Sequence, residues 1–241
     1  MLRSTLVYVF VGLYILLLAP FVLLWSAASS DNRLLYALSR FCIRTAGWMC
    51  GICVQIHGGD KIAPAITYVF LSNHQGNLDG PVLLHAIPRD WKALIKKEMM
   101  KLPVLSLVLK QAQFVPIERS NPKKAQIGID LGTQLLAKGH SFVAFPEGTR
   151  SRNGLLGEFK KGVFIMAIKA QVPVIPVTIL ASAEIQPPGR YAIHPGCVRV
   201  IFHDPIPTAG MDLEDRNRLV QLTRNAIESG IKALGNGGNP N

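Results

Sequence analysis

Residues 4–30 carry no charge, and Leu6 to Trp25 is almost wholly apolar. A run of that length either crosses a bilayer or lies buried in one leaflet. Arg3 precedes it, and Asp31 and Arg33 come directly after it. Ser26-Ala27-Ala28 offers a signal-peptide cleavage site, but the apolar core is longer than a usual signal's. Pro20 can kink the helix, which keeps a re-entrant arrangement open. Residues 32–54 read as a second helix, with Arg33, Arg40 and Arg44 within about 60° of one another on the helical wheel. A basic stripe beside aromatic residues fits an interfacial helix on anionic lipid. The competing reading packs this helix on the rest of the chain with a solvated arginine face. Positive charge after the apolar segment favours a cytoplasmic location for the remainder of the protein, at the cell membrane.

The whole chain supports a membrane-surface reading. Lys and Arg total 26 against 15 acids in 241 residues. No basic run interleaved with aromatics occurs, so nucleic acid is not an expected partner. The spread charge suits anionic lipid or phosphate instead. Cys50-Gly51-Ile52-Cys53 has metal or redox spacing, yet no second Cys/His pair completes a zinc site. These cysteines read as packing residues, and Cys197 falls on a late strand away from the polar motifs.

After His57-Gly58-Gly59-Asp60 the pattern alternates. Strands are expected at 66–71, 91–95, 113–117, 141–145, 174–179 and 197–203. Helices are expected at 81–87, 98–110, 122–138, 162–171 and 212–234, with a frayed tail over 235–241. The expectation is an α/β fold: a largely parallel sheet with flanking helices, preceded by an N-terminal two-helix membrane-binding segment. The segments are 1–55 for the anchor and 56–235 for the α/β domain. Pro173 and Pro176 suggest that the strand at 174–179 is an edge or irregular strand.

Polar groups gather where strands end. His74 and Asp79 lie between the strand ending at Leu71 and a helix starting near Pro81. Five residues apart, they do not face each other on a continuous helix, so they meet only across a turn. A carboxylate on one imidazole nitrogen would leave the other free to take a hydroxyl proton. The plain alternative makes Asp79 a helix cap and His74 an ordinary strand-end residue. Phe114 to Glu118 leads into Arg119. Phe145-Pro146-Glu147-Gly148-Thr149-Arg150-Ser151 offers a carboxylate, hydroxyls, a guanidinium suited to phosphate and a glycine turn.

In this order and spacing the four stretches Asn73–Asp79, Phe114–Arg119, Phe145–Ser151 and Val172–Val177 resemble the glycerolipid acyltransferase family, specifically the 1-acylglycerol-3-phosphate acyltransferases. The resemblance covers residues 60 to about 205. It implies transfer of a fatty acyl group from acyl-CoA or acyl carrier protein to lysophosphatidic acid, giving phosphatidic acid at a phospholipid surface. It implies His74 as base and Asp79 as its partner. Arg119 with Glu147, Gly148, Thr149 and Arg150 would hold the acceptor phosphate; Lys96, in Lys96-Lys97-Glu98, joins them. No metal and no cofactor beyond the acyl co-substrate is expected. Many members carry serine where this chain has Gly76, so no role for that hydroxyl carries over. Ser72, the one nearby alternative nucleophile, points away on an alternating strand, which favours direct transfer over an acyl-enzyme. The same chemistry on glycerol 3-phosphate or a lyso-ornithine-type lipid, or a non-catalytic membrane-surface protein, are the alternatives. A lipid hydrolase is disfavoured because the chain has no Gly-x-Ser-x-Gly elbow.

Overall fold

The computed structural model describes residues 1–29, 31–118, 122–151 and 154–235. Two helices, α1 (Leu2–Ser29) and α2 (Arg33–Cys50), lead into β1 (Ile52–His57). The chain continues as β2 (Val69–Ser72), α3 (Asp79–Ala86), β3 (Trp91–Lys96), α4 (Pro103–Gln111) and β4 (Val115–Ile117). It ends with α5 (Pro122–Ala137), β5 (Ser141–Ala144), α6 (Gly162–Ala170), β6 (Val174–Leu180), α7 (Ser182–Ile185), β7 (Gly196–Phe202) and α8 (Arg216–Gly235). The strands among the described residues form one seven-stranded sheet in the order β1-β7-β6-β2-β5-β3-β4. Every pair is parallel except β6 with β7. The largely parallel sheet expected from the alternating pattern is what forms.

Period-two alternation divides the core. Phe70, Val143, Ile175 and Val177 face one way, onto Val82, Leu83 and Ala86 of α3. Val69, Leu71, Phe142 and Val174 face the other, onto α5, α6 and α8. Val69, Phe70 and Leu71 are all fully buried, which is why β2 reads as a continuous apolar run. Helix α8 is tied to the sheet by a buried polar contact: Thr178 Oγ1 lies 2.8 Å from His203 Nε2 and 3.2 Å from the Ile227 carbonyl. Burial pulls the His203 pKa down to about 4.

Several expectations need correcting. The second helix stops at Cys50, where Gly51 takes a left-handed φ of 70° and ends it. Residues 52–57 are an edge strand beside β7, so the expected boundary at 55/56 cuts through β1. That register sets Cys53 opposite Cys197, and the two are joined by a disulfide. Only Cys42 and Cys50 are buried free thiols. The strand expected to be an edge or irregular one is not at an edge: β6, which holds Pro176 and follows Pro173, lies between β7 and β2. Val174 N–H donates to Ile206, and Pro176 faces that same side two residues later, beyond the end of β7, where no ladder donor is needed. The expected helix at 98–110 is a 3₁₀ turn, Lys97–Lys101, and then α4, because Pro103 opens a new helix. The last helix begins at Arg216; Asp212 and Asp215 form the turn before it.

The two N-terminal helices pack together and on the α/β unit. Tyr36 donates to the Trp91 carbonyl, and Ser4 Oγ accepts from Ile193 N–H at 3.0 Å. Arg40, expected on a lipid-facing stripe, donates instead to the Arg89 carbonyl at 2.6 Å and the Leu84 carbonyl at 3.2 Å. Its role is docking α2 onto α3. The exposed stripe of α2 is Leu34, Phe41 and Trp48, which share one face at seven-residue spacing. On α1, Leu13, Leu16, Leu17, Phe21, Leu24 and Trp25 are exposed. Residues Leu2–Ser26 are long and apolar enough to cross a membrane, by length and composition.

Candidate active site

Parallel strands β2, β3, β4, β5 and β6 all end at one edge of the sheet, so the loops that leave β2, β3, β5 and β6 start there together. The loop after β2 starts with Asn73, which is buried. Its amide donates to the Ile179 carbonyl at 2.8 Å and accepts from the Ile179 N–H at 2.7 Å. This clamps the loop to β6. The next residues wrap around Asp79, the first residue of α3 and completely buried. One oxygen, Oδ2, lies 2.6 Å from His74 Nδ1, 2.7 Å from Gln75 N and 2.9 Å from Gly76 N. The two backbone donors make Oδ2 an acceptor, so the imidazole meets it as Nδ1–H. In the neutral ring, Nε2 is then the nitrogen that carries no proton. The His74 side chain is 21% exposed, enough to offer that nitrogen to a substrate.

The loop after β5 frames the histidine. Phe145 stacks on the imidazole, with ring centroids 4.0 Å apart and planes inclined by 16°. Ser151 N–H donates to the His74 carbonyl at 2.8 Å. Glu147 is 7% exposed, and both its oxygens are occupied. Oε1 accepts from His74 N–H and Oε2 from Gly157 N–H, each at 2.8 Å. Glu147 therefore binds the loops to each other. Gly148 turns the chain with φ 74°. Thr149 and Arg150 stand exposed at the rim. Lys96 is exposed at the end of β3, 3.8 Å from Glu98. Arg119 lies outside the described residues, as does the tail from 236. Ser72 Oγ is buried and donates to the Asn73 carbonyl at 3.0 Å.

Two cavities flank the loop. One, of about 680 Å³, is lined by Glu147, Thr149, Ser151, Lys160 and Lys161 among others. The other, of about 460 Å³, is mainly apolar and runs between α1, α2, α3 and β1. Asn77 and Leu78 line its end at the His74 loop, and Pro81, Val82 and His85 continue it along α3. Burial, then Arg44, lowers the His85 pKa. Lys160, Lys161 and this groove escaped the sequence reading. The lysines lie outside the motif stretches, and the groove needs the pairing of β1 with β7 to exist.

A family model described as Acyltransferase matches residues 53–180, more than half of the chain. The chain belongs to the acyltransferase family. Similar proteins include a chloroplastic 1-acyl-sn-glycerol-3-phosphate acyltransferase, BAT2, from Brassica napus, 38% identical over 64% of this chain and 45% of that one. LPAT1 from Arabidopsis thaliana is 36% identical over 70% of this chain and 48% of its own length. The chain thus spans about half the length of these curated relatives. The crystal structure of the 1-acyl-sn-glycerophosphate (LPA) acyltransferase PlsC from Thermotoga maritima superposes with a TM-score of 0.84 at 25% identity, covering 97% of this chain and 95% of that one.

In this family member Gly76 packs against the opposite wall of the loop. A Cβ there would stand 2.7 Å from the Ser182 carbonyl oxygen and 2.8 Å from its carbon. Ser182 is fully buried, and its place is set by Ala181 at a left-handed φ of 67°. Backbone held this way does not yield cheaply. Gly76→Ser, although it installs the residue common in the family, is expected to displace the Gly76 N–H from Asp79 and lower turnover roughly five- to a hundredfold, the effect of about 1–3 kcal/mol of overpacking. Initial rates at saturating substrate check this; equal or faster turnover in the variant contradicts it.

Proposed function

We propose that this protein is a membrane-bound 1-acylglycerol-3-phosphate O-acyltransferase that makes phosphatidic acid. The observation that carries the reading is the His74–Asp79 contact, on a half-buried histidine whose loop neighbours Asn77 and Leu78 line an apolar groove and whose backbone partners Glu147 and Ser151 line the cavity with Lys160 and Lys161. Nε2 takes the proton of the acceptor hydroxyl as that oxygen attacks the thioester carbonyl. The tetrahedral adduct collapses, the C–S bond breaks, and the departing thiolate receives the proton from the imidazolium. Asp79 stabilises the imidazolium between these steps. Holding both substrates at once supplies much of the acceleration. The donor is acyl-CoA or acyl carrier protein, with its acyl chain in the groove beside Leu78. This transfer asks for no metal or cofactor.

Arg150, with Arg119 and Lys96, is proposed to bind the acceptor phosphate at the rim. Glu147 serves that site by holding its loop, since an acceptor-only carboxylate cannot bond a phosphate oxygen. The exposed apolar faces of α1 and α2 support a site at a phospholipid surface, where the acceptor resides. We assign the α/β domain to the cytoplasmic face of the cell membrane.

Purified protein offered radiolabelled lysophosphatidic acid, glycerol 3-phosphate and a lyso-ornithine lipid with one acyl donor tests the reaction. Labelled phosphatidic acid is expected as the main product, and His74→Ala should lower its formation roughly 10²–10⁴-fold in a folded protein. A preferred acceptor other than lysophosphatidic acid, or a His74→Ala enzyme of normal rate, contradicts the proposal.

Arg150→Ala should raise the acceptor KM about ten- to a hundred-fold, the loss of a charge-assisted bond of roughly 1.5–3 kcal/mol. The donor KM should stay near its starting value. An unchanged acceptor KM removes Arg150 from the phosphate site.

Sidedness is open to a thiol-trapping experiment. Disulfides are rare in a reducing cytoplasm. If the domain faces that compartment, Cys53 and Cys197 should be trapped as free thiols by maleimide added at lysis of intact cells, and in a parallel sample lysed without maleimide they should form their disulfide on purification in air. A pair already oxidised in the cell contradicts the cytoplasmic assignment.

A further inference from the structure

Arg224 lies on α8, far in sequence from every motif, yet its guanidinium reaches toward the site. Nη1 donates to the Gly157 carbonyl at 2.7 Å and Nη2 to the Leu156 carbonyl at 2.9 Å. The fork is held in place by Glu228, 2.8 Å from Nε, and by the Phe159 ring, 5.4 Å from the guanidinium carbon. Phe159 is itself buried and stacked on Phe164 of α6. The side chain of Arg224 is only 28% exposed. A surface arginine without a task is not built this way.

The carbonyl of Leu156 and the N–H of Gly157 belong to one peptide group. Arg224 binds the oxygen side of that group, and the nitrogen side donates to Glu147 Oε2 at 2.8 Å. The other oxygen of Glu147 accepts from the His74 N–H at 2.8 Å. A cation on the carbonyl polarises the peptide and strengthens its N–H as a donor. The result is an unbroken chain: guanidinium, peptide 156–157, carboxylate, His74 backbone. The imidazole at the end of the chain is the one that Asp79 orients.

We infer that Arg224 is a positioning residue for His74, acting through the 156–157 peptide and Glu147. The inference rests on the proposed acyl transfer only where activity is the readout. Arg224 also fixes one wall of the 680 Å³ cavity, since Gly157 lines it. Its stem and planar fork matter together: a lysine has the charge but cannot span two successive carbonyls.

The test compares Arg224→Met, Arg224→Lys and Glu147→Gln in the full-length protein, with Arg218→Met as a control on an exposed α8 side chain. Arg224→Met should lower kcat roughly three- to thirty-fold, within the range of couplings carried by packed networks. The donor KM should not move. Arg224→Lys should fall between it and the parent, and keeps the test available if the methionine variant does not fold. Glu147→Gln combined with Arg224→Met should be no slower than Glu147→Gln alone, because both break one chain. Hydrogen exchange supplies a readout independent of activity. The amides of His74 and Gly157 should exchange faster in Arg224→Met and Arg224→Lys, while the Ile179 amide, bonded to Asn73, should not change. Failure of the wild-type protein to transfer an acyl group would count against the proposed function, and the exchange result would still decide the role of Arg224. Parent-like kcat with unaltered exchange at both amides, or fully additive losses in the double variant, would overturn the inference.

Discussion

One carboxylate oxygen organises this molecule. Asp79 Oδ2 receives the His74 imidazole and the N–H groups of Gln75 and Gly76, all within 2.9 Å, in a site closed to solvent. A buried charge needs donors, and the three around Asp79 all meet Oδ2, while Oδ1 is buried without a hydrogen-bond partner among the described residues. The loop therefore must curl around Asp79, and Asp79 must sit at the very start of α3. That requirement explains why a spacing of five residues, useless on a helix, brings the two side chains together here. It also explains why Gly76 has no side chain: the loop closes so tightly that Ser182 backbone occupies the space.

The remaining structure supports that loop from two sides. On one side Asn73 locks to Ile179, so β6 carries half the frame. On the other, Phe145, Glu147 and Ser151 grip the ring, the N–H and the carbonyl of His74 in turn. The third motif, expected from family resemblance to touch phosphate along its length, divides its work. Its buried residues hold the histidine, and only Thr149 and Arg150 face outward. Parallel strands make the division possible, because they bring three loop starts to a single edge. The apolar groove then arises where α1 and α2 cover α3 and β1.

The central sheet was legible in the sequence because buried parallel strands are short apolar runs with turn signals at each end. The His74–Asp79 meeting was legible as chemistry, and its geometry came from the glycine and asparagine between them. Contacts remote in sequence were not. Cys53 and Cys197 are 144 residues apart, and nothing in either neighbourhood announces that β1 will lie beside β7. The same blindness carried the second helix on to residue 54, although Gly51 stops α2 before it. Arg40 read as lipid-facing because its wheel position matched Arg33 and Arg44, whereas carbonyls at the end of α3 claim it. Glu147 read as a ligand because the family resemblance implied it, and its two backbone partners are remote from it in sequence.

The proposed catalysis depends most on the protonation pattern of His74. Histidine labelled with ¹⁵N in the detergent-solubilised protein, read by long-range proton–nitrogen correlation at alkaline pH, reports it directly. The expected result is a neutral His74 ring with the proton on Nδ1, a strongly hydrogen-bonded Nδ1–H resonance, and a bare Nε2, with that resonance lost in Asp79→Asn. A neutral ring protonated on Nε2, with Nδ1 bare beside Asp79, would contradict it.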